Sequence, residues 1–196
     1  GLVGSEMCIR DREGTVTATI TSSSTSSLTT LEGTNAYTIT IAASDATSAT
    51  ASQLTAISKA TTEPVDASGV TGLASDSISN IKTLLTAGND TAQFTAGSFG
   101  SLATVVVSDS TLSGSDLAEA IDQANTATTG TNTTTVFTIT AAGEITGTEE
   151  DFTALITDEN AQQIDITNQN LTIDIGTTIS VATARTLSET TTGTVT

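Results

Sequence analysis

A pattern of apolar and polar positions recurs along the chain: a β-branched run, a polar turn, then a Ser or Thr followed by spaced apolar residues. The segments VVVSDSTLSGSDLAEAI (105–121) and TITAAGEITGTEEDFTALI (138–156) show it most clearly. β-Branched runs are typical of strands, whereas apolar residues three apart share one face of a helix. The pattern therefore predicts a strand followed by a short helix, again and again along the chain.

Each predicted helix can be recognised by its first apolar residue, here called the anchor. The anchors are Leu28, Leu54, Ile81, Leu117, Phe152 and Ala184, at spacings of 26 to 36 residues. Three residues after each anchor stand Leu31, Ile57, Leu84, Ala120, Leu155 and Leu187. A spacing of this size is typical of tandem repeats, which bury the same face repeatedly. We therefore expect the anchors and their partners to form one continuous apolar row.

A hydroxyl residue precedes every anchor by four positions, which indicates where each helix begins. These residues are Ser24, Thr50, Ser77, Ser113, Thr148 and Ser180. Ser and Thr are preferred N-caps because their side chains accept a hydrogen bond from the third helical amide. Thr50 and Gln53 have the spacing of a capping box, and Ser113 with Asp116 and Thr148 with Asp151 are close variants.

The same pattern predicts strands at 16–20, 37–41, 70–73, 105–107, 136–139 and 171–175. Gly33, Gly88, Gly130 and Gly193 fit helix C-terminal stops. The expected fold is α/β: tandem strand–short-helix units stacked as a solenoid of parallel strands. A mainly β solenoid and a β-sandwich with helical insertions are the alternatives.

The chain divides into two parts of different composition. Residues 1–12 (GLVGSEMCIRDR) contain the only Met and the only Cys, and Leu2 through Asp11 resemble a translated sequencing adapter. Such a segment does not enter the fold prediction. Residues 13–196 are expected to be a repeat array of about six units. Because residues 193–196 repeat residues 14–17, we expect the array to be truncated at both ends.

Composition removes several classes of chemistry. The chain has no His, and its one Cys lies in residues 1–12, so Cys/His zinc sites, internal disulfides and His-dependent catalytic triads are excluded. A net charge of −17 disfavours nucleic acid and anionic membrane surfaces. The chain contains 46 Thr and 22 Ser but only five aromatic residues, so small hydroxyl side chains dominate.

Carboxylates are the remaining candidates for chemistry, and no set of them is selected by spacing. The runs 149–151 and 158–159 suggest Ca²⁺ but lack a calcium-loop pattern, and negative charge is favourable in a first helical turn anyway. Asp45 and Asp109 follow strands and fit turn residues. Alternating Thr residues at 15–21, 38–40 and 138–140 fit ordinary β-propensity better than a flat binding face. The prediction is no catalytic, cofactor-binding or metal-binding residue and no cofactor, with Ca²⁺ as the alternative.

The combination of a β-branched strand, a helix such as SGSDLAEAIDQA (113–124) and an exit such as TTGTVT (191–196) resembles the giant Thr/Ser/Asp-rich tandem-repeat proteins of bacteria, known especially from marine cyanobacteria. That resemblance implies a non-enzymatic, adhesin-like, extracellular or cell-surface protein. Its expected partners are neighbouring repeats, extracellular polysaccharide or other surface proteins, without membrane insertion. The alternatives are a binding module for polysaccharide, ice or Ca²⁺, and a fragment of a carboxylate-dependent enzyme.

Overall fold

The computed structural model describes residues 17–20, 24–31, 35–127, 135–140, 143–174 and 176–196. Residues 1–12, with the adapter prediction made for them, lie outside the described residues. The strands are β1 (Thr17–Ile20), β2 (Ala36–Ile39), β3 (Gly72–Asp76), β4 (Thr104–Val107), β5 (Thr111–Ser113), β6 (Val136–Ile139), β7 (Glu144–Gly147) and β8 (Asn170–Ile173). The helices are α1 (Thr25–Leu28), α2 (Ala51–Lys59), α3 (Ile78–Gly88), α4 (Gly114–Ala127), α5 (Glu149–Asn160) and α6 (Val181–Thr190).

The strands form open, parallel sheets, as the α/β prediction requires. β1 pairs with β2, β4 lies between β3 and β6, and β7 lies between β5 and β8. Every one of these pairings is parallel. With 38% of the described residues helical and 24% in strands, the mainly β alternative is wrong. The parallel pairing also disagrees with a β-sandwich, whose sheets are antiparallel.

Two strands, β5 and β7, stand where the sequence predicts polar turns. Each contributes only one buried apolar side chain, Leu112 in β5 and Ile145 in β7. Such short strands have too few apolar positions to show a period of two. Their parallel pairing, in which Leu112 lies opposite Ile145, stabilises them instead.

The helix starts agree with the hydroxyl pattern. Ser24, Thr50, Ser77, Thr148 and Ser180 are N-caps whose side chains accept a bond from the amide three residues on. Capping boxes are present at Thr50–Gln53 and Thr148–Asp151, and Ser113 Oγ accepts from Asp116 N at 3.4 Å immediately before α4. The local rule for N-caps was therefore sufficient to place all six starts.

The anchors contribute to a single apolar core. Leu28, Leu54, Ile81, Leu117 and Phe152 are all buried in one cluster that continues through the described chain. Ala184 is an exception, because it is partly exposed and its partner three residues on, Leu187, is buried instead. Each helix packs against the next helix in sequence, from α1 on α2 to α5 on α6.

Of the two predicted stop glycines that the structure describes, Gly88 ends a helix as predicted and Gly193 does not. Gly33 and Gly130 lie outside the described residues, and Gly88 is the last residue of α3 without a left-handed backbone. A Cβ on Gly88 would lie 2.6 Å from the ring of buried Phe99, so close packing explains this glycine. Gly193 likewise lies against the backbone of Gln169 rather than ending α6.

Candidate functional site

Three helix N-termini accept a carboxylate from a later part of the chain. Thr25 N donates to Asp45 Oδ2 at 2.6 Å at the start of α1, and Ser52 N donates to Asp76 Oδ2 at 2.8 Å at the start of α2. Ile78 N donates to Asp109 Oδ2 at 2.7 Å at the start of α3. Helix N-termini carry free amides and partial positive charge, so each carboxylate satisfies a donor and the helix dipole together. We call these three residues the inter-helix caps.

Asp76 is the most heavily bonded of the inter-helix caps. Its Oδ1 accepts from Ser77 N at 2.8 Å and from Asn80 Nδ2 at 2.7 Å, while Oδ2 is held by Ser52. Burial alone would raise the pKa of Asp76, but these hydrogen bonds outweigh burial and hold it below its ordinary value. Asp76 therefore connects α2, β3 and α3 as an ionised group.

The prediction of Asp45 and Asp109 as turn residues misses their main contact, because both side chains accept a hydrogen bond from a distant helix. Asp174 follows β8 in the same way, yet it is exposed and its carboxylate has no bonding partner among the described residues. At α6 the direction is reversed: Ser180 N and Thr183 Oγ1 donate to Glu149, which belongs to the preceding helix. Sequence position after a strand is thus a signal for these caps, although an ambiguous one.

A groove of about 460 Å³ lies on the helical side of the molecule. We call it the lysine groove. It is lined by α2, α3, the segment after α3 and the start of α4, with Thr55, Lys59, Ser79, Lys82, Thr83, Thr86, Ala87, Gln93 and Asp116. No sequence motif predicts this groove; the one available signal was that α2 and α3 contain lysines and no acids.

Lys82 is fixed in this groove by two carboxylates of α4. Its Nζ lies 2.6 Å from Asp116 Oδ1 and 2.6 Å from Glu119 Oε2. These hydrogen-bonded acids raise the pKa of Lys82 above its ordinary value. Lys59, in the last turn of α2, is exposed and has no carboxylate partner within the described chain.

A second groove, of about 560 Å³, lies beside β6. We call it the carboxylate groove. Its lining consists of β6 with Thr140, the end of α5 and the region after it: Val136, Phe137, Thr138, Ile139, Thr140, Glu159, Gln162, Ile164, Asp165, Asn168 and Gln169. In the parallel pairing of β4 with β6, Val107 lies opposite Ile139 and bonds to the two residues that flank Ile139. The backbone N–H and C=O of Ile139 therefore face away from β4.

Two acids of the carboxylate groove have pKa values displaced in opposite directions. Burial, with the charge of Asp165 adding to it, raises the pKa of Glu159 against the opposing bond from Ile166 N. The hydroxyl and amide of Thr167 lower the pKa of Asp165. Glu159 Oε2 accepts from Ile166 N at 2.7 Å, and Asp165 Oδ1 accepts from Thr167 Oγ1 at 2.6 Å. One oxygen of each carboxylate is therefore used within its own turn. Acid and base pairs of catalytic sites also have carboxyl groups whose pKa values are shifted apart.

Another pair of acids, Asp122 of α4 and Asp158 of α5, lies between these two helices. Burial raises the pKa of Asp158 to about 6, and the negative charge of Asp122 adds to the effect. Within the described ranges, no three His, Cys, Asp or Glu side chains come together as a metal site. The acidic runs 149–151 and 158–159, considered for Ca²⁺, are used elsewhere. Glu149 bonds to the N-terminus of α6, Asp158 lies near Asp122, and Glu159 lines the carboxylate groove.

The alternating threonines do not form an unbroken face. Thr19 of β1 lies opposite Thr38 of β2, and both are exposed, but Thr138 of β6 lies opposite Val106. Thr15 and Thr21 lie outside the described residues. The interrupted row agrees with β-propensity as the reason for these threonines.

Comparison with known proteins gives no relative: no family model, no curated protein and no solved structure matches the chain. Among the helices that the structure describes, none has both the length and the apolar character needed to cross a membrane.

Proposed function

We propose that this chain is a structural or adhesive segment of a large secreted or cell-surface protein, built from tandem units that stack as a solenoid. Its partners would be neighbouring units of the same chain, with extracellular polysaccharide or other surface proteins as external ones. The role is mechanical: to span distance and to present many weak contacts. The resemblance to giant Thr/Ser/Asp-rich repeat proteins supports this proposal.

The observation that carries the proposal is the neighbour-by-neighbour order of the contacts. Each helix packs on the next, each sheet is parallel, and three helices take an N-terminal cap from a later segment. An array whose units contact mainly their neighbours unfolds piecewise, because its stability is a sum of unit and interface terms. A hydroxyl-rich surface of net charge −17 keeps such an array soluble.

Pulling a single molecule from its ends tests the proposal. Units of 26 to 36 residues should release about 90–125 Å of chain per step, since an extended residue spans about 3.5 Å. A single cooperative domain would release about 600 Å in one event. One large step, reproduced at several pulling speeds, would rule out a piecewise array.

A carboxylate-dependent hydrolase is the second candidate, favoured by the position of Glu159 and Asp165 in one groove of about 560 Å³ and by pKa values displaced in opposite directions. In that case Glu159 would serve as the general acid and Asp165 as the base or nucleophile. The test is release of reducing ends from soluble polysaccharides by the intact chain. Turnover that disappears in both Glu159→Gln and Asp165→Asn, but persists in Glu150→Gln, would replace the mechanical proposal with an enzymatic one.

A further inference from the structure

One face of α6 is exposed, although the same face is buried in the earlier helices. Three residues before the anchor, helices α1 to α4 have a buried residue: Thr25, Ala51, Ile78 and Gly114. The equivalent residue of α6, Val181, is 87% exposed. Four residues after the anchor, α2 to α4 are again buried, at Ser58, Leu85 and Ile121, whereas Ser188 of α6 is exposed. Positions seven apart share a helix face. We call Val181, Arg185 and Ser188 the open face of α6.

In the earlier helices, this face contacts the next element along the chain. Lys82 stands one residue after the anchor of α3, and its Nζ lies 2.6 Å from both Asp116 and Glu119 of α4. Glu149 stands three residues before the anchor of α5 and accepts from Ser180 N, directly before α6. The open face of α6 therefore continues an interface that already joins each helix to the following one.

The open face also has a cation at the position that Lys82 occupies in α3. Arg185 stands one residue after its anchor, as Lys82 does. The side chain of Lys82 is 23% exposed between the acids of α4, whereas that of Arg185 is 79% exposed and pairs with Glu189 of its own helix. Asp116 and Glu119 stand one residue before and two residues after the anchor of α4. Acids at these positions of a helix packed on α6 would meet Arg185.

We propose that the open face of α6 binds a further strand–helix unit, whose helix carries acids one residue before and two residues after its anchor. Val181 and Ser188 pack under that helix, and Arg185 pairs with its acids as Lys82 does with those of α4. No such unit can bury its apolar face alone, so each requires a neighbour. The inference deepens the proposed function and rests on it, since it states the chemistry of the neighbouring unit.

The full chain extended by one unit tests the proposal. Val195 lies opposite Leu171, 24 residues earlier, so a copy of residues 173–196 joined after Thr196 continues the strand in the same register. One extended chain has the copy unchanged. The other, the acid-copy chain, carries Thr183→Asp and Thr186→Glu within the copy. We expect hydrogen exchange of the α6 amides to be at least about tenfold slower in the acid-copy chain than in the unextended chain.

Val181→Ala in α6 itself should have opposite effects in the two settings. In the unextended chain it should slow exchange by up to about twofold, because the side chain is exposed and Ala favours a helix. In the acid-copy chain it should accelerate exchange by about tenfold, because the side chain is then buried. Thr186→Ala in α6 is the matched control. Its equivalent in α3, Thr83, is exposed, so its effect should be the same in both chains.

Arg185→Gln separates the charge from the packing. It should accelerate exchange of the α6 amides by about threefold in the acid-copy chain, and this effect should shrink as salt rises. In the chain with the unchanged copy, which has hydroxyls in place of the acids, it should change exchange by less than that.

The remaining outcomes also decide the inference. An added unit that leaves α6 exchange unchanged, a Val181→Ala effect equal in all chains, or an Arg185→Gln effect equal with both copies would overturn it. Self-association of the unextended chain that Val181→Ala abolishes, measured by sedimentation, would replace the proposed unit with a second copy of the chain. Stepwise unfolding under force without these couplings would reject this face alone, whereas the couplings with a single unfolding step would reject the array.

Discussion

The inter-helix cap at α3 can be tested by removing the carboxylate of Asp109. Ile78 N donates to Asp109 Oδ2 at 2.7 Å, a length typical of a charge-assisted bond. Truncation to Ala leaves the first amide of α3 without its acceptor and removes a negative charge from the helix N-terminus. The hydrogen bond is worth about 1.5–3 kcal/mol and the dipole interaction about 0.3–1 kcal/mol, with overlap between them. We therefore expect Asp109→Ala to lower the free energy of unfolding by about 2 kcal/mol.

Two further variants separate the causes. Asp109→Asn keeps an acceptor oxygen but not the charge, so it should cost about 1 kcal/mol. Asp174→Ala removes a carboxylate that also follows a strand but reaches no helix, and it should change stability by less than about 0.5 kcal/mol. Urea denaturation at pH 7 measures all three, and hydrogen exchange of Ile78 N–H should accelerate at least tenfold in Asp109→Ala alone.

Equal destabilisation by Asp109→Ala and Asp174→Ala would contradict this role of Asp109, since only Asp109 bonds to α3. Unchanged exchange of Ile78 N–H would contradict it too. In that case water, not Asp109, would satisfy the amide, and the carboxylate would be a surface charge of little consequence.

Three other substitutions test the packing and the electrostatics. Leu117→Ala should lower the free energy of unfolding by about 2–5 kcal/mol, measured in urea, because Leu117 is fully buried in the common core; a cost below 1 kcal/mol would contradict that core. Gly88→Ala should destabilise α3 by about 1–2 kcal/mol in the same assay, since the added methyl meets Phe99 and outweighs the gain in helix propensity; a stabilised variant would show that Phe99 moves freely. The raised pKa of Asp158 means that its favourable contribution is present below about pH 4 and lost as pH rises through about 6. Asp158→Asn should therefore stabilise the protein by about 1 kcal/mol at pH 7, after allowance for solvent screening, and by nothing near pH 4; equal effects at both pH values would show that charge is not the cause.

Sequence reasoning was most successful where one residue determines a local structure. The N-cap at Thr50 depends only on a hydroxyl and an amide three residues away, so the spacing to Gln53 was enough to predict the capping box. Strand β6 was predicted over its observed residues because its β-branched run is long enough to be distinctive.

The failures all concern contacts between distant parts of the chain. β5 is a strand because β7 pairs with it, and Gly88 is required because Phe99 packs on it. The partner of Asp109 stands 31 residues earlier, at Ile78, so nothing near Asp109 in the sequence reveals its role. The lysine groove likewise depends on three helices meeting, and only the lack of acids in α2 and α3 hinted at it.

The inter-helix caps also impose an order in time on the growing polypeptide. Asp45, Asp76 and Asp109 follow the amides they accept from by 20, 24 and 31 residues. At a synthesis rate of about 5–20 residues per second, each helix start waits roughly 1–6 s before its carboxylate has been made. During that interval the helix is held only by its own Ser or Thr cap and by the segments already completed. During translation, folding of this region therefore lags synthesis by one segment, because each new carboxylate completes the start of a helix that was synthesised earlier.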